Sequence, residues 1–429
     1  MDRRQFLMSS AAAAASARVG AQGRRTRMAL VGTGERGIET WGQPVASDYA
    51  DVVEIVGLCD INGLRAKAAQ GLIGTKAPAY VDFERMIRET APELVVIATM
   101  DAAHCRYVLR ALELGLKVMC EKPMCTDEAQ VQAVVDAVKK SRGELAVAFV
   151  MRHYPAAMRI KQLLLERAIG NVIAVDFNEY LDTSHGASYF RRWHNLKENS
   201  GTLLCTKASH HFDLVNWWLA SDPLEVAADG DLRVYGRNSA FRSTHCRACP
   251  YKRECRFYWD VMQNPFYAKL YVECESEDGY FRDGCLYREN TNIYDTMSVQ
   301  ARYENGVRLN YLANAYLPYE GQAIAIDGDR GRIEWNNYSG GGFKISELRL
   351  TRAFGKSEVI PLPPERTGGH GGTDSAMRDL IFRKGEAGDP LSLRAGVDAG
   401  AASSLLGIAA YRSIERGGAR IKISSLRRS

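Results

Sequence analysis

The sequence predicts an α/β fold of two domains: a doubly wound parallel sheet followed by an α+β domain with a large, mostly antiparallel sheet. In the first part of the chain, short apolar runs such as residues 52–59 and 94–99 alternate with segments of helical period. This alternation is typical of a parallel sheet that is buried on both faces. Later runs such as residues 172–180 alternate apolar and polar side chains between turn signals, which indicates strands with one covered face.

The elements can be assigned in order along the chain. In the first domain, residues 26–152, strands are predicted at residues 28–34, 52–59, 94–99, 117–120 and 145–150. Its helices are predicted from residue 38 onward and at residues 64–72, 82–89, 104–114 and 127–140. In the second domain, residues 153–429, helices are predicted at residues 160–167 and 395–414, and strands at residues 172–180, 298–303, 307–315, 323–327 and 348–352. A cysteine-rich insertion is predicted at about residues 240–290.

The composition excludes several classes of protein. The apolar fraction of 46% and the charged fraction of 25% are ordinary for a globular chain of 429 residues. The formal net charge of +5 is small and is raised by arginines at both ends, so we expect no nucleic-acid partner. No stretch approaches 18 consecutive apolar residues, so we expect no transmembrane helix and no membrane partner.

The N-terminus has the layout of an export signal. Arg3 and Arg4 precede an uncharged, alanine-rich stretch, and small residues follow at positions 19–21. The paired arginines resemble a twin-arginine signal, which predicts a signal peptide at residues 1–21, the twin-arginine export machinery as a partner, and a periplasmic or extracytoplasmic location. We expect such an enzyme to hold its cofactor tightly, because no large soluble cofactor pool exists outside the cytoplasm. A basic, frayed N-terminus with an alanine helix is the alternative.

A glycine motif indicates a Rossmann domain that binds a nicotinamide cofactor. Residues 32–37 read Gly-Thr-Gly-Glu-Arg-Gly and follow directly on a predicted strand that leads into a helix, which is the context this motif requires. Asp60 ends the second strand, at a suitable distance to bind the ribose hydroxyls, and favours NAD over NADP; Arg65 nearby weakens that preference. The predicted cofactor residues of this region are Gly32, Thr33, Gly34, Arg36, Gly37 and Asp60. A structural glycine turn without a cofactor is the alternative.

Five segments in this order resemble the Gfo/Idh/MocA oxidoreductases, which include glucose–fructose oxidoreductase and inositol dehydrogenase. The segments are GTGERG, CDIN, VIATMDAAH, LELGLKVMCEKPM and SHHFDLVNWW. The resemblance implies that Lys122 lies beside the nicotinamide and hydrogen-bonds the substrate hydroxyl. It also adds Thr99, His104 and Glu121 to the cofactor residues. In the alternative interpretation, Glu121 and Lys122 are a solvated pair before a turn.

The family carries a second signature, an aspartate four residues before a histidine on a helix. With His211 aligned to that histidine, Lys207 stands where the aspartate is usual. The spacing of four places both on one helical face, and His211 is then the candidate general base. Lys207 is predicted to depress the pKa of His211, to orient the substrate, or to be the base itself. His210 is either a substrate contact or a core histidine.

Further candidates belong to the substrate site. Aromatic rings and planar donors are typical of sugar sites, and glycines flank a histidine in the segment Gly-Gly-His-Gly-Gly at residues 368–372. The predicted substrate residues are Tyr180, Arg192, Trp193, His194, His210 and His370. The alternative for the aromatic residues is that they only pack in the core. The alternative for His370 is that its glycine-rich segment is a structural loop.

Four cysteines have metal-ligand spacing. Cys246 and Cys249 form a Cys-x-x-Cys pair, Cys255 follows, and Cys285 lies beyond, with Cys274 as a substitute for Cys285. Four thiolates suit a structural zinc ion or an iron–sulfur cluster. Disulfides or free thiols are the alternatives.

Three functions therefore compete. The first is an exported, NAD(P)-dependent oxidoreductase that acts on a hydroxyl group of a sugar or glycoside. The second is an NAD-dependent glycosidase or lyase that oxidises the sugar ring transiently, and the third is a sugar-binding protein without catalysis. The resemblance also implies a dimer or tetramer that assembles through the open face of the second-domain sheet.

Overall fold

The computed structural model describes residues 24–363, 372–384 and 388–427. Within these ranges the chain forms a six-stranded parallel sheet and a nine-stranded mixed sheet, and the predicted fold class is confirmed. The predicted signal at residues 1–21 and His370 lie outside the described residues. No helix in the described ranges is long and apolar enough to cross a membrane.

The first sheet has the strand order β3-β2-β1-β4-β5-β6. Its strands are β1 (Thr26–Val31), β2 (Val53–Cys59), β3 (Ala79–Tyr80), β4 (Leu94–Ile97), β5 (Lys117–Cys120) and β6 (Leu145–Val147). The helices that follow its strands are Gln43–Asp48, Gly63–Ile73, Phe83–Thr90, His104–Glu113 and Glu128–Lys140, and a π-helix at Gly37–Gly42 precedes the first. Strand β4 is buried along its whole length, as expected for a sheet covered on both faces. The strand order reverses between β1 and β4, which opens a crevice at the carboxyl ends of these strands, where ligands bind in such sheets.

The second sheet has the order β14-β13-β12-β11-β7-β10-β9-β8-β15. Its strands are β7 (Val172–Asp182), β8 (Pro223–Asp231), β9 (Thr296–Tyr303), β10 (Arg308–Leu317), β11 (Glu320–Gly328), β12 (Gly331–Gly340), β13 (Phe343–Arg352), β14 (Ser357–Ile360) and β15 (Ile421–Lys422). Neighbouring strands pair antiparallel except β7 and β10, which are parallel. In β9 buried and exposed residues alternate strictly, because the sheet has one covered face.

Helices cover one face of the second sheet, and one of them also packs against the helix Glu128–Lys140 of the first domain. The long helix Val397–Glu415 is buried over most of its length, and Ser403 donates a hydrogen bond to the Ser209 carbonyl of the neighbouring helix. The α-helices of this domain are Pro155–Leu165, His185–Arg191, Lys197–Ser200, Leu203–Thr206, Ser209–Leu219, Pro265–Leu270, Glu275–Asp278, Thr373–Asp379 and Val397–Glu415. Short 3-10 helices lie at Asp101–Ala103, Val150–His153, Trp193–Asn195, Val261–Gln263, Val272–Cys274 and Ile423–Ser425, and a π-helix lies at Leu380–Lys384.

Candidate active site

A cavity of about 2140 Å³ lies where the two domains meet. One side is formed by the glycine loop and by the ends of β2, β4 and β5, and the other by residues that follow β7 and by the insertion between β8 and β9. Predicted site residues that line it are Gly32, Gly34, Arg36, Asp60, Thr99, His104, Glu121, Lys122, Arg192, Trp193, His194, Lys207 and His210. The cavity therefore combines most of the predicted cofactor, catalytic and substrate residues; Thr33, Gly37 and His211 are not among the described residues that line it.

The glycine loop forms a close-packed cradle. Gly32 has a φ of +88°, and a Cβ atom there would lie 2.5 Å from the backbone carbonyl of Ala98. A Cβ atom on Gly37 would lie 2.1 Å from the Gly32 oxygen, so both positions require glycine. Gly34, Glu35 and Arg36, at the start of the following helix, border the cavity, and the N-terminus of a helix favours an anionic ligand. The loop fits the pyrophosphate of a nicotinamide dinucleotide.

Asp60 is held at the end of β2 by several hydrogen bonds. The Thr33 backbone amide and hydroxyl donate to one carboxylate oxygen over 2.9 and 3.1 Å, and the Asn62 amide donates to the other over 3.0 Å. Arg65 contacts Asp60 over 3.3 Å and Asp278 over 2.7 Å, and its side chain is nearly buried. Because two carboxylates already balance the charge of Arg65, that residue gives little attraction to the 2′-phosphate of NADP.

Glu121 belongs to a buried polar network, so the interpretation of a solvated pair is wrong. Its carboxylate accepts hydrogen bonds from Arg36 over 2.7 Å and from the indole of Trp41 over 2.9 Å. Arg36 also pairs with Asp374 over 3.1 Å. These contacts fix the position of the loop that carries Lys122.

His104 joins two loops at the edge of the parallel sheet. Its Nδ1 lies 2.8 Å from the Pro123 carbonyl oxygen and its Nε2 lies 3.2 Å from that of Thr99. Pro123 follows a cis peptide bond after Lys122. The ring is almost fully buried and also borders the cavity, so its evident contribution is to hold the Lys122 loop against the end of β4.

Lys122 reaches from the first domain to the second. Its Nζ donates a hydrogen bond to the Thr206 carbonyl over 2.8 Å. Burial lowers the pKa of Lys122 to about 8, although the nearby carboxylates of Asp101 and Glu121 oppose this shift. A lysine with such a pKa can exchange a proton near neutral pH.

Asp101 is a cavity residue that the sequence interpretation did not include. It begins the 3-10 helix Asp101–Ala103 after β4, is buried, and shares a side-chain hydrogen bond with Thr206. Its Oδ2 has no hydrogen-bond partner among the described residues. Burial raises the pKa of Asp101 to about 7 against the opposing charge of Lys122. Its place at the carboxyl end of a parallel strand was the signal that could have identified it.

The two adjacent histidines have different surroundings. His210 lines the cavity, whereas His211 is completely buried behind it. His211 Nδ1 lies 2.9 Å from the Tyr311 hydroxyl and its Nε2 lies 3.4 Å from the Glu179 carboxylate. Burial and the charge of Lys207 hold the pKa of His211 well below its ordinary value. The alignment that placed His211 against the substrate is therefore corrected: the histidine at the cavity is His210.

Lys207 forms an ion pair with Glu179, whose carboxylate lies 3.0 Å away and is completely buried. Burial alone would lower the pKa of Lys207, but the Glu179 carboxylate outweighs it and raises that pKa above its ordinary value. Of the roles predicted for Lys207, a cation that depresses the pKa of His211 agrees with this geometry, and so does a cation at the cavity that could orient a substrate, whereas a general base does not. Strand alternation could have identified Glu179, because it shares the buried face of β7 with Phe177.

The predicted substrate residues do not all lie together. The rings of Trp193 and His194 stack with centroids 3.5 Å apart, and Arg192 lies over the Tyr189 ring. Tyr180 is not among the described residues that line the cavity. It lies on the other face of β7 from Glu179 and packs against Tyr319 and Tyr338. The prediction for Tyr180 is therefore corrected to an aromatic cluster on the sheet.

The four cysteines with metal-ligand spacing border one small cavity of about 20 Å³. All ten cysteines of the chain are free thiols in the structure. Within the described ranges, no group of three or more His, Cys, Asp or Glu side chains is arranged to hold a metal ion. The structure thus confirms neither the metal nor the disulfide interpretation for Cys246, Cys249, Cys255 and Cys285. Cys274 lies elsewhere, beside the Lys269 carbonyl.

Comparison with known proteins gives matches over both domains. The family model GFO_IDH_MocA, described as an oxidoreductase family with an NAD-binding Rossmann fold, matches residues 26–149. The model for the C-terminal alpha/beta domain of that oxidoreductase family matches residues 161–423.

Individual proteins agree with these models. The Bacillus subtilis protein YteT is 33% identical over 89% of this chain and 94% of its own length. An inositol 2-dehydrogenase/D-chiro-inositol 3-dehydrogenase of Lactiplantibacillus plantarum is 28% identical over 40% of this chain and 46% of its own. The WlbA dehydrogenase of Bordetella pertussis, solved with NADH and UDP-GlcNAcA, has a TM-score of 0.65 at 18% identity and covers 93% of this chain and 99% of its own.

Proposed function

Because this chain belongs to the Gfo/Idh/MocA oxidoreductase family, we propose that it oxidises a hydroxyl group of a sugar or glycoside with NAD. The observation that carries this proposal is the position of Lys122, whose Nζ lies between the two domains in the cavity that the glycine loop also borders. A bound nicotinamide dinucleotide supplies the hydride acceptor. The protein's own residues must bind the substrate and remove its hydroxyl proton.

The proton is removed by Lys122, and Asp101 adjusts the charge state of that lysine. The pKa of Lys122, about 8, allows it to be neutral in part of the molecules at neutral pH and to accept the proton. The buried carboxyl group of Asp101 and the hydroxyl of Thr206 lie next to it and provide a neighbouring site for a proton. His210 borders the same cavity from the second domain and positions the substrate.

Several features support a sugar-like substrate. Trp193 and His194 present aromatic rings, and Arg192 and Lys207 present cations toward the cavity. Aromatic and planar polar side chains of this kind are suited to ring carbons that carry hydroxyl groups. Relatives named for inositol and solved with UDP-GlcNAcA act on or bind ring compounds with hydroxyl groups. The intact lysine and glycine loop favour an enzyme over a binding protein.

The test is oxidation of a panel of sugars and glycosides by the purified protein, measured as NADH formation. Lys122→Ala should abolish most of that activity, whereas Lys140→Ala, at an exposed lysine of the first domain, should leave it unchanged. A protein that binds NAD and cleaves a glycoside of the panel, but forms no net NADH with any member of the panel, would support the redox-neutral glycosidase or lyase instead.

We also propose that the protein is exported by the twin-arginine route and assembles into a homo-oligomer. The basis for export is the sequence Arg3-Arg4 followed by an alanine-rich stretch. Replacing both arginines by lysines should leave folded protein in the cytoplasm, as measured by cell fractionation, and export that continues would contradict the proposal. Mass measurement in solution tests the oligomeric state.

A further inference from the structure

The insertion between β8 and β9 returns to the first domain and becomes part of its core. Leu270 and Tyr271 are buried in the same apolar cluster as Met28 and Trp41, which belong to the first sheet and its first helical segment. Residues 265–282 are therefore held against the dinucleotide-binding half of the molecule, although they belong to the second domain in sequence. We call residues 265–282 the cofactor wall.

The cofactor wall contacts the glycine loop at Glu35. The backbone amide of Glu35 donates a hydrogen bond to the Tyr271 hydroxyl over 2.9 Å. The Glu35 carboxylate accepts hydrogen bonds from the Tyr267 hydroxyl over 2.7 Å and from Arg282 over 3.2 Å. Glu35 follows the second glycine of the loop, the part of a Rossmann loop that the pyrophosphate approaches, so the wall reaches the diphosphate end of the cradle.

The cofactor wall also contacts the ribose end of the cradle. Asp278 pairs with Arg65 over 2.7 Å, while Arg65 contacts Asp60. The Asn62 side-chain amide donates a hydrogen bond to the Cys274 carbonyl over 2.8 Å. Both ends of the dinucleotide cradle are thus joined to one segment of the insertion.

Arg282 is the residue of the cofactor wall that points most directly to an anionic ligand. Its side chain is only 6% exposed and borders the cavity. The guanidinium lies within 6 Å of the ring centres of Trp259, Tyr267 and Tyr271, and its Nε has no hydrogen-bond partner among the described residues. A buried donor without a partner is costly, and phosphate oxygens are suitable acceptors for a guanidinium group.

We propose that the cofactor wall closes the dinucleotide site, with Arg282 as a phosphate ligand, and that NAD is consequently retained as a bound group between turnovers. The proposal rests on NAD binding, which the family implies, but not on the identity of the sugar. Release of the cofactor would require the wall to separate from the loop, which breaks the contacts at Glu35 and Arg65 together. Slow dissociation follows from this arrangement.

The experiment measures the dissociation rate of NADH from the full-length protein, with excess NAD as the competitor and protein-bound fluorescence as the signal. Arg282→Gln should release NADH about 10- to 100-fold faster, as expected for the loss of a charged hydrogen bond. Tyr271→Phe and Asp278→Asn should each release it about three- to tenfold faster. Arg253→Gln, at an exposed arginine of the same insertion, should release it at the wild-type rate.

The outcomes separate the proposal from the proposed function. Equal dissociation rates for the wild type and for Tyr271→Phe and Asp278→Asn would overturn the cofactor wall even if the enzyme oxidises sugars. Should Arg282→Gln not fold, as judged by thermal unfolding, those two variants decide the question alone. A protein that retains NADH tightly but oxidises no sugar would support the wall and contradict the proposed substrate.

Discussion

Lys122 and Lys207 border the same cavity from different domains, and their surroundings give them opposite acid–base properties. Lys122 donates a hydrogen bond to a neutral backbone carbonyl, and burial lowers its pKa to about 8. Lys207 touches the buried carboxylate of Glu179 over 3.0 Å, and its pKa is raised. Direct contact with a carboxylate therefore decides whether a half-buried lysine exchanges protons or remains a fixed cation.

The largest expected effect comes from removing the lysine that exchanges protons. Lys122→Ala should lower kcat by about 10²- to 10⁴-fold, since it deletes a positioned proton-transfer group. NADH binding should persist, because the glycine loop and Asp60 are untouched. Steady-state kinetics together with NADH titration measure both quantities. A variant with near-wild-type kcat would place the proton transfer on another residue.

The second prediction concerns the ion pair between Lys207 and Glu179 on the second-domain side of the cavity. Glu179→Gln leaves Lys207, whose side chain is 13% exposed, without its carboxylate and should lower the free energy of unfolding by about 1–3 kcal/mol. The double variant Glu179→Gln/Lys207→Met should regain much of that loss, because no buried charge remains uncompensated. Urea unfolding of both variants is the measurement. If the loss of unfolding free energy in the double variant equals the sum of the losses in the two single variants, the two side chains are not coupled.

The two histidines give a smaller and more specific contrast. His210→Gln removes a cavity side chain and should lower kcat/KM by about tenfold, the worth of one hydrogen bond to substrate. His211→Gln affects a residue behind the cavity wall and should act mainly on the unfolding free energy. The comparison requires kinetics and urea unfolding for both variants. A larger kinetic effect at His211 than at His210 would restore the original alignment.

The sequence predicted the site residues that directly follow strands of the first domain better than it predicted those on the second-domain helix. The glycine loop, Asp60 and Lys122 follow directly on strands of a strongly periodic domain, and the structure places them at one sheet edge as expected. Adjacent residues on a helix differ by about 100° in direction, so an alignment error of one residue was enough to exchange His210 for His211.

Other parts of the site depend on distant contacts. Glu179 lies 28 residues before its partner Lys207, and the cofactor wall lies more than 200 residues after the loop it contacts. Periodicity and motifs describe local structure and cannot predict such pairings. The fold class required only local patterns, whereas the charge state of each lysine required the tertiary neighbours.

The smallest predicted effect is a shift of the pH profile. The Asp101 carboxylate favours the protonated form of Lys122, so Asp101→Asn should lower the pKa of Lys122. If neutral Lys122 accepts the proton, kcat/KM rises as pH increases through that pKa, and the acid limb should move to lower pH by about one unit. The exposed control Asp48→Asn should leave the acid limb of the kcat/KM profile unchanged. An acid limb that moves to higher pH in Asp101→Asn would contradict this electrostatic assignment.

The difference between the two lysines can be measured directly by NMR titration of protein labelled with ¹³C at the lysine Cε atoms, with Lys122→Arg and Lys207→Arg used to assign the two signals. We expect the Lys122 signal to titrate near pH 8 and the Lys207 signal to stay in its protonated position beyond the pH at which exposed lysines titrate. A Lys207 signal that titrates at or below the pH of the Lys122 signal would contradict it.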